Sequence, residues 1–330
     1  MIDRHNRNIN YLRISVTDRC NLRCLYCMPK EGLSLIGHDD ILRYEEILRV
    51  IRVAVRLGIS KVRITGGEPL VRKGIVDFIA SLKTMGGLND ISLTTNGIRL
   101  EEFAERLYRA GMRRINVSLD SLNPQTYAEI TRGGNLGAVL KGIESAYRAG
   151  FAPIKINTVA IKGANDDEIL DFASLTIDKP FHVRFIEMMP LGNAETEQGF
   201  YYLSNDLVMD KINRIYRLEP VNGQSTGTDG PARRFRISGG TGEIGFISPV
   251  SQHFCHRCNR LRLTADGHLR PCLLRDDEVD LKGPLRENCG DDVLDRLIRE
   301  AIAGKPRGHS LVLNNRRLRK CVRGMSTIGG

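Results

Sequence analysis

Six short strand-like runs alternate with stretches of helical periodicity between Tyr11 and Glu187. A repeated order of strand, helix and strand is typical of parallel βα units and argues against a β-sandwich. We predict strands at Tyr11–Val16, Lys61–Thr65, Ile91–Thr95, Arg114–Leu119, Ile154–Val159 and His182–Glu187. The sequence therefore predicts an α/β fold with a parallel sheet at its centre.

Each predicted strand has one apolar face and one polar face. In the first strand Leu12 and Ile14 share one face, while Arg13 and Ser15 share the other. The polar faces of the other strands carry Arg63, Thr65, Ser92, Thr94, Asn116, Ser118, Asp120, Lys155, Asn157, His182 and Arg184. Parallel sheets normally bury both faces among apolar groups, so we expect this sheet to wrap around a polar ligand.

The expected architecture is an incomplete (βα)6 TIM-like barrel, with its ligand site at the carboxyl ends of the strands. The alternative is an open sheet that leaves one face in water. That alternative is disfavoured, because the helical crossovers must cover one face and because strand twist bends the sheet toward closure.

The pattern changes after Glu187. A predicted helix between Leu207 and Ile215 lies between two loop-like segments, and two predicted hairpins and a last helix follow. These later elements are Arg233–Ile237 with Glu243–Ile247, Arg260–Thr264 with His268–Pro271, and the helix Asp292–Ala303. We predict a partial barrel over residues 1–203 and a C-terminal α+β extension over residues 204–330.

A first group of cysteines, Cys20, Cys24 and Cys27, follows the first predicted strand with the spacing C-x3-C-x2-C. Three thiolates this close in sequence can bind three irons of a cubane cluster and leave the fourth iron open. A structural zinc site needs four ligands, and His38 lies in no recognisable spacing to this group. Zinc therefore stays an alternative without an evident fourth ligand.

This spacing, with the aromatic Tyr26 before the last cysteine, resembles the signature of the radical S-adenosylmethionine superfamily. Gly66-Gly67-Glu68-Pro69 follows the second predicted strand and is similar to the GGEP segment of that superfamily, where glycines allow the backbone to approach a ligand closely. The resemblance implies a 4Fe–4S cluster that cleaves S-adenosylmethionine to a 5′-deoxyadenosyl radical. It also implies cofactor contacts by Tyr26, Gly67, Ser118 and Met189, with packing roles open for the tyrosine and the methionine.

A second group, Cys255, Cys258 and Cys272, has the spacing C-x2-C-x13-C, and a predicted turn at Asp266 would fold its last member back beside the first two. A cluster on these three thiolates would leave an open iron that can bind a substrate. The alternative is a zinc site whose fourth ligand is Cys289, His253 or His256. Cys289 and Cys321 are otherwise interpreted as structural or incidental thiols.

Two three-cysteine groups, the later followed by Asn259-Arg260-Leu261-Arg262-Leu263, resemble those of the GTP 3′,8-cyclase family. The resemblance covers nearly the whole chain. It implies a lyase-type cyclase that converts GTP to (8S)-3′,8-cyclo-7,8-dihydroguanosine 5′-triphosphate, the first step of molybdenum cofactor biosynthesis. It implies GTP contacts by Arg13, Arg63, Thr94, Lys155, Arg260 and Arg262, with Leu261 contributing by its position between the last two. The arginines and the lysine among them suit a triphosphate.

The same resemblance implies two 4Fe–4S clusters, an external electron donor and a downstream pyranopterin-forming enzyme, and it leaves a homodimer open. It also implies a catalytic role for the terminal Gly329-Gly330, because a C-terminal double glycine reaches into the active site in that family. The alternative is an unstructured end, as is usual for terminal glycines. A basic run precedes the tail and either steers it into the site or is simply solvated: Arg316, Arg317, Arg319, Lys320 and Arg323.

The net charge of +10 fits either a nucleic-acid surface or a pocket for an anionic small molecule. Aromatic residues make up only 6% of the chain and tryptophan is absent, which disfavours a base-stacking platform. No run of about 20 apolar residues occurs, and the start MIDRHNRNIN lacks the apolar part of a signal peptide. We therefore expect no membrane span and a cytoplasmic location.

Two rival functions are weaker. A peptide-maturing radical enzyme with auxiliary clusters would need more C-terminal cysteines than the five that follow Cys27, and the seven-cysteine auxiliary pattern is absent. A zinc-stabilised nucleic-acid-binding protein would explain the charge and the cysteines, but it would leave the GGEP segment and the polar strand faces unexplained.

Overall fold

The structure is a computed structural model that describes residues 1–189, 201–221, 230–309 and 323–329. Gly330, Cys321 and the basic residues between 316 and 320 lie outside the described residues, and so do parts of the two loops predicted after Glu187. The strands are β1 (Tyr11–Ser15), β2 (Lys61–Thr65), β3 (Asp90–Thr95), β4 (Arg114–Ser118), β5 (Ile154–Lys162), β6 (His182–Glu187), β7 (Tyr201–Tyr202), β8 (Leu218–Pro220), β9 (Arg233–Ile237), β10 (Glu243–Ile247), β11 (Arg260–Leu263), β12 (His268–Arg270) and β13 (Val279–Asp280).

The α-helices are α1 (Tyr44–Arg56), α2 (Ile75–Lys83), α3 (Leu100–Arg109), α4 (Pro124–Thr131), α5 (Leu136–Arg148), α6 (Ile169–Asp178), α7 (Asn205–Asn213), α8 (Lys282–Arg286), α9 (Asp291–Ala303) and α10 (Met325–Ile328). Local chemistry explains where several of them begin. The side chain of Asn123 accepts hydrogen bonds from the first turn of α4, and Pro124 occupies its first position. Among the described residues, no helix has the length and apolar character needed to cross a bilayer.

Strands β1 to β6 lie side by side in sequence order, and each neighbouring pair is parallel. A helix crosses between each pair, so this part of the fold is the predicted partial βα barrel. All six predicted strands are confirmed. β1 and β4 end one residue early, β3 begins one residue early, and β5 continues to Lys162.

The C-terminal strands extend both edges of this sheet. β11 pairs in parallel with β1, and β10 pairs in parallel with β6. The two predicted hairpins are confirmed as the antiparallel pairs β9–β10 and β11–β12. The sheet therefore runs across the boundary predicted at residue 203, and strands of the C-terminal α+β region extend the wall of the partial barrel at both edges.

The apolar strand faces point outward beneath the helices. Leu12, Ile14, Val62 and Ile64 are fully buried in one continuous core with the inner sides of the helices. Burial of one such side chain contributes about 1.5–3 kcal/mol to stability, so the outer layer is what holds the strands in place. The opposite faces remain for the polar residues, which point into the barrel.

Candidate active site

The interior of the barrel contains a cavity of about 990 Å³. Both cysteine groups line it, one on the loop after β1 and the other around the start of β11. The predicted site residues that line it are Arg13, Cys20, Cys24, Tyr26, Cys27, Arg63, Gly67, Thr94, Ser118, Lys155, Met189, Cys255, Cys258, Arg260, Arg262 and Cys272. The structure therefore brings together residues that are up to about 260 positions apart, from Arg13 to Cys272.

The side chain of Leu261 does not reach this cavity. Leu261 is 1% exposed and belongs to the apolar core, because it lies between two inward-pointing arginines on a strand. In the register of the sheet it faces outward with Leu12 of β1, while Arg260 and Arg262 face inward. The side chain of Leu261 is thus part of the outer core, and its predicted contribution to the site would be one of position on the strand.

The first cysteine loop is closed by short-range hydrogen bonds. The backbone N–H of Leu22 donates to Sγ of Cys20 at 3.4 Å, and that of Cys27 donates to the carbonyl of Cys24 at 2.9 Å. Burial raises the pKa of Cys20 to about 11 and that of Cys27 to about 12. Because clusters bind thiolates, assembly at this site must displace the thiol protons.

The loop of the GGEP segment packs directly on the cysteine loop. The N–H of Gly67 donates to the carbonyl of Thr17 at 2.6 Å, and the N–H of Glu68 donates to that of Arg19 at 2.7 Å. A Cβ atom at Gly67 would lie 2.2 Å from the carbonyl oxygen of Arg19, so a side chain cannot be accommodated there. The two predicted motifs are therefore parts of one rigid assembly.

The carboxylate of Glu68 fastens this assembly to the end of β3. Its oxygens accept hydrogen bonds from Oγ1 of Thr95 and the N–H of Asn96, each at 2.7 Å, and from the N–H of Leu70 at 3.0 Å. Burial nevertheless raises the pKa of Glu68 to about 7. Glu68 of the GGEP segment therefore has a structural role that the sequence did not indicate.

Asp120 was predicted only as part of a polar strand face, and its particular role in the site was missed. The hydroxyl of Tyr26 donates to Oδ2 of Asp120 at 2.5 Å, and Oδ1 accepts from the N–H of Val159 at 2.8 Å. Burial raises the pKa of Asp120 to about 6. The hydrogen bond from Tyr26 fixes the orientation of the tyrosine ring beside the first cysteine group. In the sequence, only the polar alternation that continues past the end of β4 indicated that Asp120 faces the barrel interior.

The second cysteine group has a different electrostatic environment. Burial would raise the pKa of Cys258, but the charges of Arg260 and Lys305 and hydrogen bonds from Arg260 lower it to about 6. The pKa of Cys255 is raised by burial. The turn after β11 contains Gly267 at φ +84°, a left-handed conformation that favours glycine. The turn brings β12 and then Cys272 back toward Cys255 and Cys258.

Three thiols at each end of the cavity suit iron–sulfur clusters in number and chemistry. In a cubane each thiolate binds a different iron, so the sulfur atoms do not have to meet at one point. Among the described residues, no three His, Cys, Asp or Glu side chains are arranged to hold a single metal ion. The donor sets therefore fit clusters with one open iron each.

Cations form the wall between the two cysteine groups. The register of β11, β1 and β2 places Arg262, Arg13 and Arg63 in one row across the sheet. Burial and the neighbouring Arg262 lower the pKa of Arg13 well below its ordinary value. On the opposite side, burial and the charge of Arg184 lower the pKa of Lys155 to about 6.

The positive charges that line the cavity lie close together and indicate the kind of ligand it binds. Buried like charges raise the free energy of the folded protein unless an anion compensates them. Cavity-lining residues outside the predicted set add to the charge or lie beside it: Tyr11, Lys61, Arg114, His182, Arg184 and Arg234. The cavity is therefore built for a ligand with several negative charges.

The C-terminal segment, residues 323–329, lies against this wall. The guanidinium of Arg323 donates to Asp266 at 2.9 and 3.0 Å and to Glu278 at 2.8 Å. Ile328 is buried against Met189, whose side chain also lines the cavity. Gly329 follows at the ends of β1 and β2, and the position of Gly330 lies beyond the described residues.

Two family models match the chain. Residues 14–176 match the model described as the Radical SAM superfamily, and residues 181–311 match the one described as Molybdenum Cofactor Synthesis C. The fold is similar to that of Streptococcus suis SuiB bound to S-adenosylmethionine, with a TM-score of 0.56 at 16% identity over 91% of this chain and 68% of that chain. The partial barrel and its cysteine loop thus define an enzyme of the radical S-adenosylmethionine class.

Similarity to full-length relatives identifies the family within this class of enzymes. The chain is 51% identical to the GTP 3′,8-cyclase of Moorella thermoacetica over 330 residues, which is 100% of both chains. It is also 51% identical to the GTP 3′,8-cyclase of Pelotomaculum thermopropionicum over 331 residues, again 100% of both chains. The chain belongs to the GTP 3′,8-cyclase family.

Proposed function

We propose that this enzyme converts GTP to (8S)-3′,8-cyclo-7,8-dihydroguanosine 5′-triphosphate in the first step of molybdenum cofactor biosynthesis. The observation that carries the proposal is the cavity with a three-cysteine group at each end and a wall of cations between them. The names of the full-length relatives support GTP as the particular nucleotide.

Cys20, Cys24 and Cys27 hold one 4Fe–4S cluster in this proposal, and Cys255, Cys258 and Cys272 hold the other. When bound, the first cluster and S-adenosylmethionine supply the 5′-deoxyadenosyl radical that takes hydrogen from ribose C3′, and the second offers an open iron to the substrate. Tyr26, Gly67, Ser118 and Met189 hold S-adenosylmethionine from the first end of the cavity.

The cations bind and orient the triphosphate. Arg13, Arg63 and Arg262 lie in one row and offer planar donors that suit phosphate oxygens. Lys155, whose pKa is lowered to about 6, takes up a proton when the anion relieves its repulsion with Arg184. The charges thereby fix the ribose at a set distance from both cysteine groups, which a hydrogen transfer requires.

The terminal glycines close the chamber in this proposal. Gly329 is held by Arg262, a residue of the substrate wall, and the buried Ile328 keeps water from that side. We also propose that residues 1–203 and 204–330 act as the radical-generating and the substrate-binding part. Reduction requires an external electron donor, and the product passes to a pyranopterin-forming enzyme.

The proposal is tested by incubating the reduced, anaerobically purified protein with S-adenosylmethionine and GTP. We expect about eight irons per chain, as two cubanes require, and formation of 5′-deoxyadenosine together with a C3′-linked cyclic nucleotide. ATP serves as the matched control, because it carries the same triphosphate and ribose. Turnover of another substrate without turnover of GTP would refute the proposal, and a colourless zinc protein would refute the clusters.

A further inference from the structure

Two buried cations lie beneath the second cysteine group, where the proposed reaction has no use for them. Arg7 is 5% exposed and Lys305 is 2% exposed. One belongs to the segment before β1 and the other follows α9, so nearly the whole chain separates them in sequence. Their hydrogen bonds meet around the three segments that carry Cys255, Cys258 and Cys272.

Arg7 holds the segment of Cys255. Its Nη1 donates to the carbonyl of Cys255 at 2.9 Å, and its Nη2 donates to the carbonyl of Pro306 at 2.8 Å. Its Nε donates to Oδ2 of the buried Asp3 at 2.7 Å, which fixes the plane of the guanidinium. The N–H of His309 also donates to the thiol of Cys255, so this cysteine is held by Arg7 at its carbonyl and by the segment after α9 at its thiol.

Lys305 holds the other two segments. Its Nζ donates to the carbonyl of Arg260 at 2.7 Å and to that of Pro271 at 2.5 Å. Arg260 lies two residues after Cys258, and Pro271 immediately precedes Cys272. One ammonium group therefore connects both loops. The backbone carbonyl of Lys305 in turn accepts a hydrogen bond from Nη2 of Arg7 at 3.4 Å.

The cost of burying the ammonium group of Lys305 favours a negatively charged group beside it. A buried ammonium is costly unless a negative charge lies close to it. Among the described residues, Lys305 has carbonyl partners and no carboxylate within ion-pair distance. Burial lowers the pKa of Lys305, and the nearby thiols of Cys258 and Cys272, which carry negative charge when ionised, oppose this shift.

We propose that Arg7 and Lys305 are positioning residues for the second cluster. They set the spacing of the segments that carry Cys255, Cys258 and Cys272, and the ammonium of Lys305 raises the reduction potential of the cluster bound there. Outer groups of this kind orient metal ligands, and nearby positive charge raises cluster potentials. The inference rests on the proposed function, because it requires a cluster at these cysteines.

The experiment uses full-length protein that carries Cys24→Ser, so that a cluster at the second group dominates the iron signal. In this parent we expect about four irons per chain after anaerobic reconstitution. Adding Lys305→Met removes the charge and both hydrogen bonds but keeps a long side chain. The matched control is Lys211→Met, because Lys211 is a partly buried lysine that also donates to a carbonyl, that of Asp166, far from the cysteines.

We expect Lys305→Met to weaken retention of iron against a chelator by about ten- to a hundredfold and to lower the midpoint potential of the remaining cluster. Lys305→Arg should restore the potential, and Lys211→Met should match the parent. Unchanged retention and potential in Lys305→Met would overturn the inference. Weaker iron retention at an unchanged midpoint potential would show that Lys305 acts through its hydrogen bonds alone, and it would overturn the proposed effect of its charge on the potential.

Two further measurements separate the possible failures. A parent without iron would refute the second cluster of the proposed function, and the inference with it. If Lys305→Met does not fold, as judged by circular dichroism, Arg7→Lys replaces it. This variant keeps the charge but cannot bridge Cys255, Pro306 and Asp3 together, so we expect weaker iron retention, and retention equal to that of the parent would overturn the role of Arg7.

Discussion

The carbonyl oxygen of Gly329 accepts a hydrogen bond of 2.5 Å from Nη1 of Arg262. Arg262 lies on β11 in register with Arg13 on β1, so the tail is attached to the same row of cations that faces the cavity. Gly329 adopts φ +86°, and a Cβ atom there would lie 3.0 Å from Cβ of Ser15 and 3.1 Å from Cγ2 of Thr65. Both the conformation and the space at this position favour glycine.

Gly329→Ala should therefore displace the tail from Arg262. We expect the yield of cyclic nucleotide per 5′-deoxyadenosine to fall at least about tenfold, since a shift of about 1 Å at a reacting centre has effects of this size or larger. Iron content should stay the same. The control is Gly163→Ala, where φ is +79° but no atom lies within 4 Å of the added Cβ. Equal effects of both variants would show that strain alone, and not the tail contact, is responsible.

Arg323→Gln tests what anchors the tail. Arg323 donates to the carboxylates of Asp266 and Glu278, and the glutamine can retain one of these bonds at most. We expect faster hydrogen exchange and faster carboxypeptidase digestion of residues 324–329. The control is Arg275→Gln, because Arg275 forms an exposed pair with Asp277 and has no hydrogen bond or ion pair with the described residues 323–329. If both variants exchange at the wild-type rate, the apolar contacts of Ile328 hold the tail instead.

Periodicity predicted the barrel strands well because each strand has a buried face and a polar face. His182–Glu187 matches β6 at both ends, and the Asp266-Gly267 turn correctly indicated the hairpin β11–β12. The same alternation explains Leu261, which the family resemblance included among the contacts: it faces outward because its neighbours Arg260 and Arg262 face inward.

Long-range pairing could not be predicted in the same way. The pairing of β11 with β1 joins Tyr11 to Arg260, and no local pattern encodes which distant edge a strand will meet. Arg7 and Lys305 were missed for a related reason. Apart from the pair of Arg7 with Asp3, their partners are main-chain carbonyls, which are present at every residue and leave no trace in the sequence.

Single cysteine variants should separate the two ends of the cavity. Cys24→Ser is expected to abolish cleavage of S-adenosylmethionine, because its thiol belongs to the group that would hold the radical-generating cluster. Cys258→Ser is expected to keep uncoupled cleavage and to lose the cyclic nucleotide. The control is Cys289→Ser, since Cys289 does not line the cavity. Release of 5′-deoxyadenosine and of nucleotide product is measured in parallel, and equal loss of both in Cys258→Ser would contradict separate roles.

Lys155 should couple GTP binding to proton uptake. Burial and the charges of Arg184, Arg114 and Arg63 lower its pKa from 10.5 to about 6 in the unbound protein. Between these two values the folded protein holds the neutral amine while the unfolded chain holds the proton. The contribution of Lys155 to the free energy of unfolding therefore rises with pH across this window. A bound triphosphate restores the charged form, so binding takes up a proton and weakens as the pH rises.

We expect uptake of about one proton on GTP binding near pH 8, and a loss of affinity of up to about tenfold per pH unit. Calorimetry in buffers of different ionisation enthalpy measures the uptake directly. Lys155→Met provides the reference, because the titration of the triphosphate itself is the same in both proteins and cancels in the difference. Since methionine cannot take up a proton, the variant should show less uptake and a flatter pH dependence of affinity. Equal uptake in both proteins would mean that Lys155 is already charged before GTP binds.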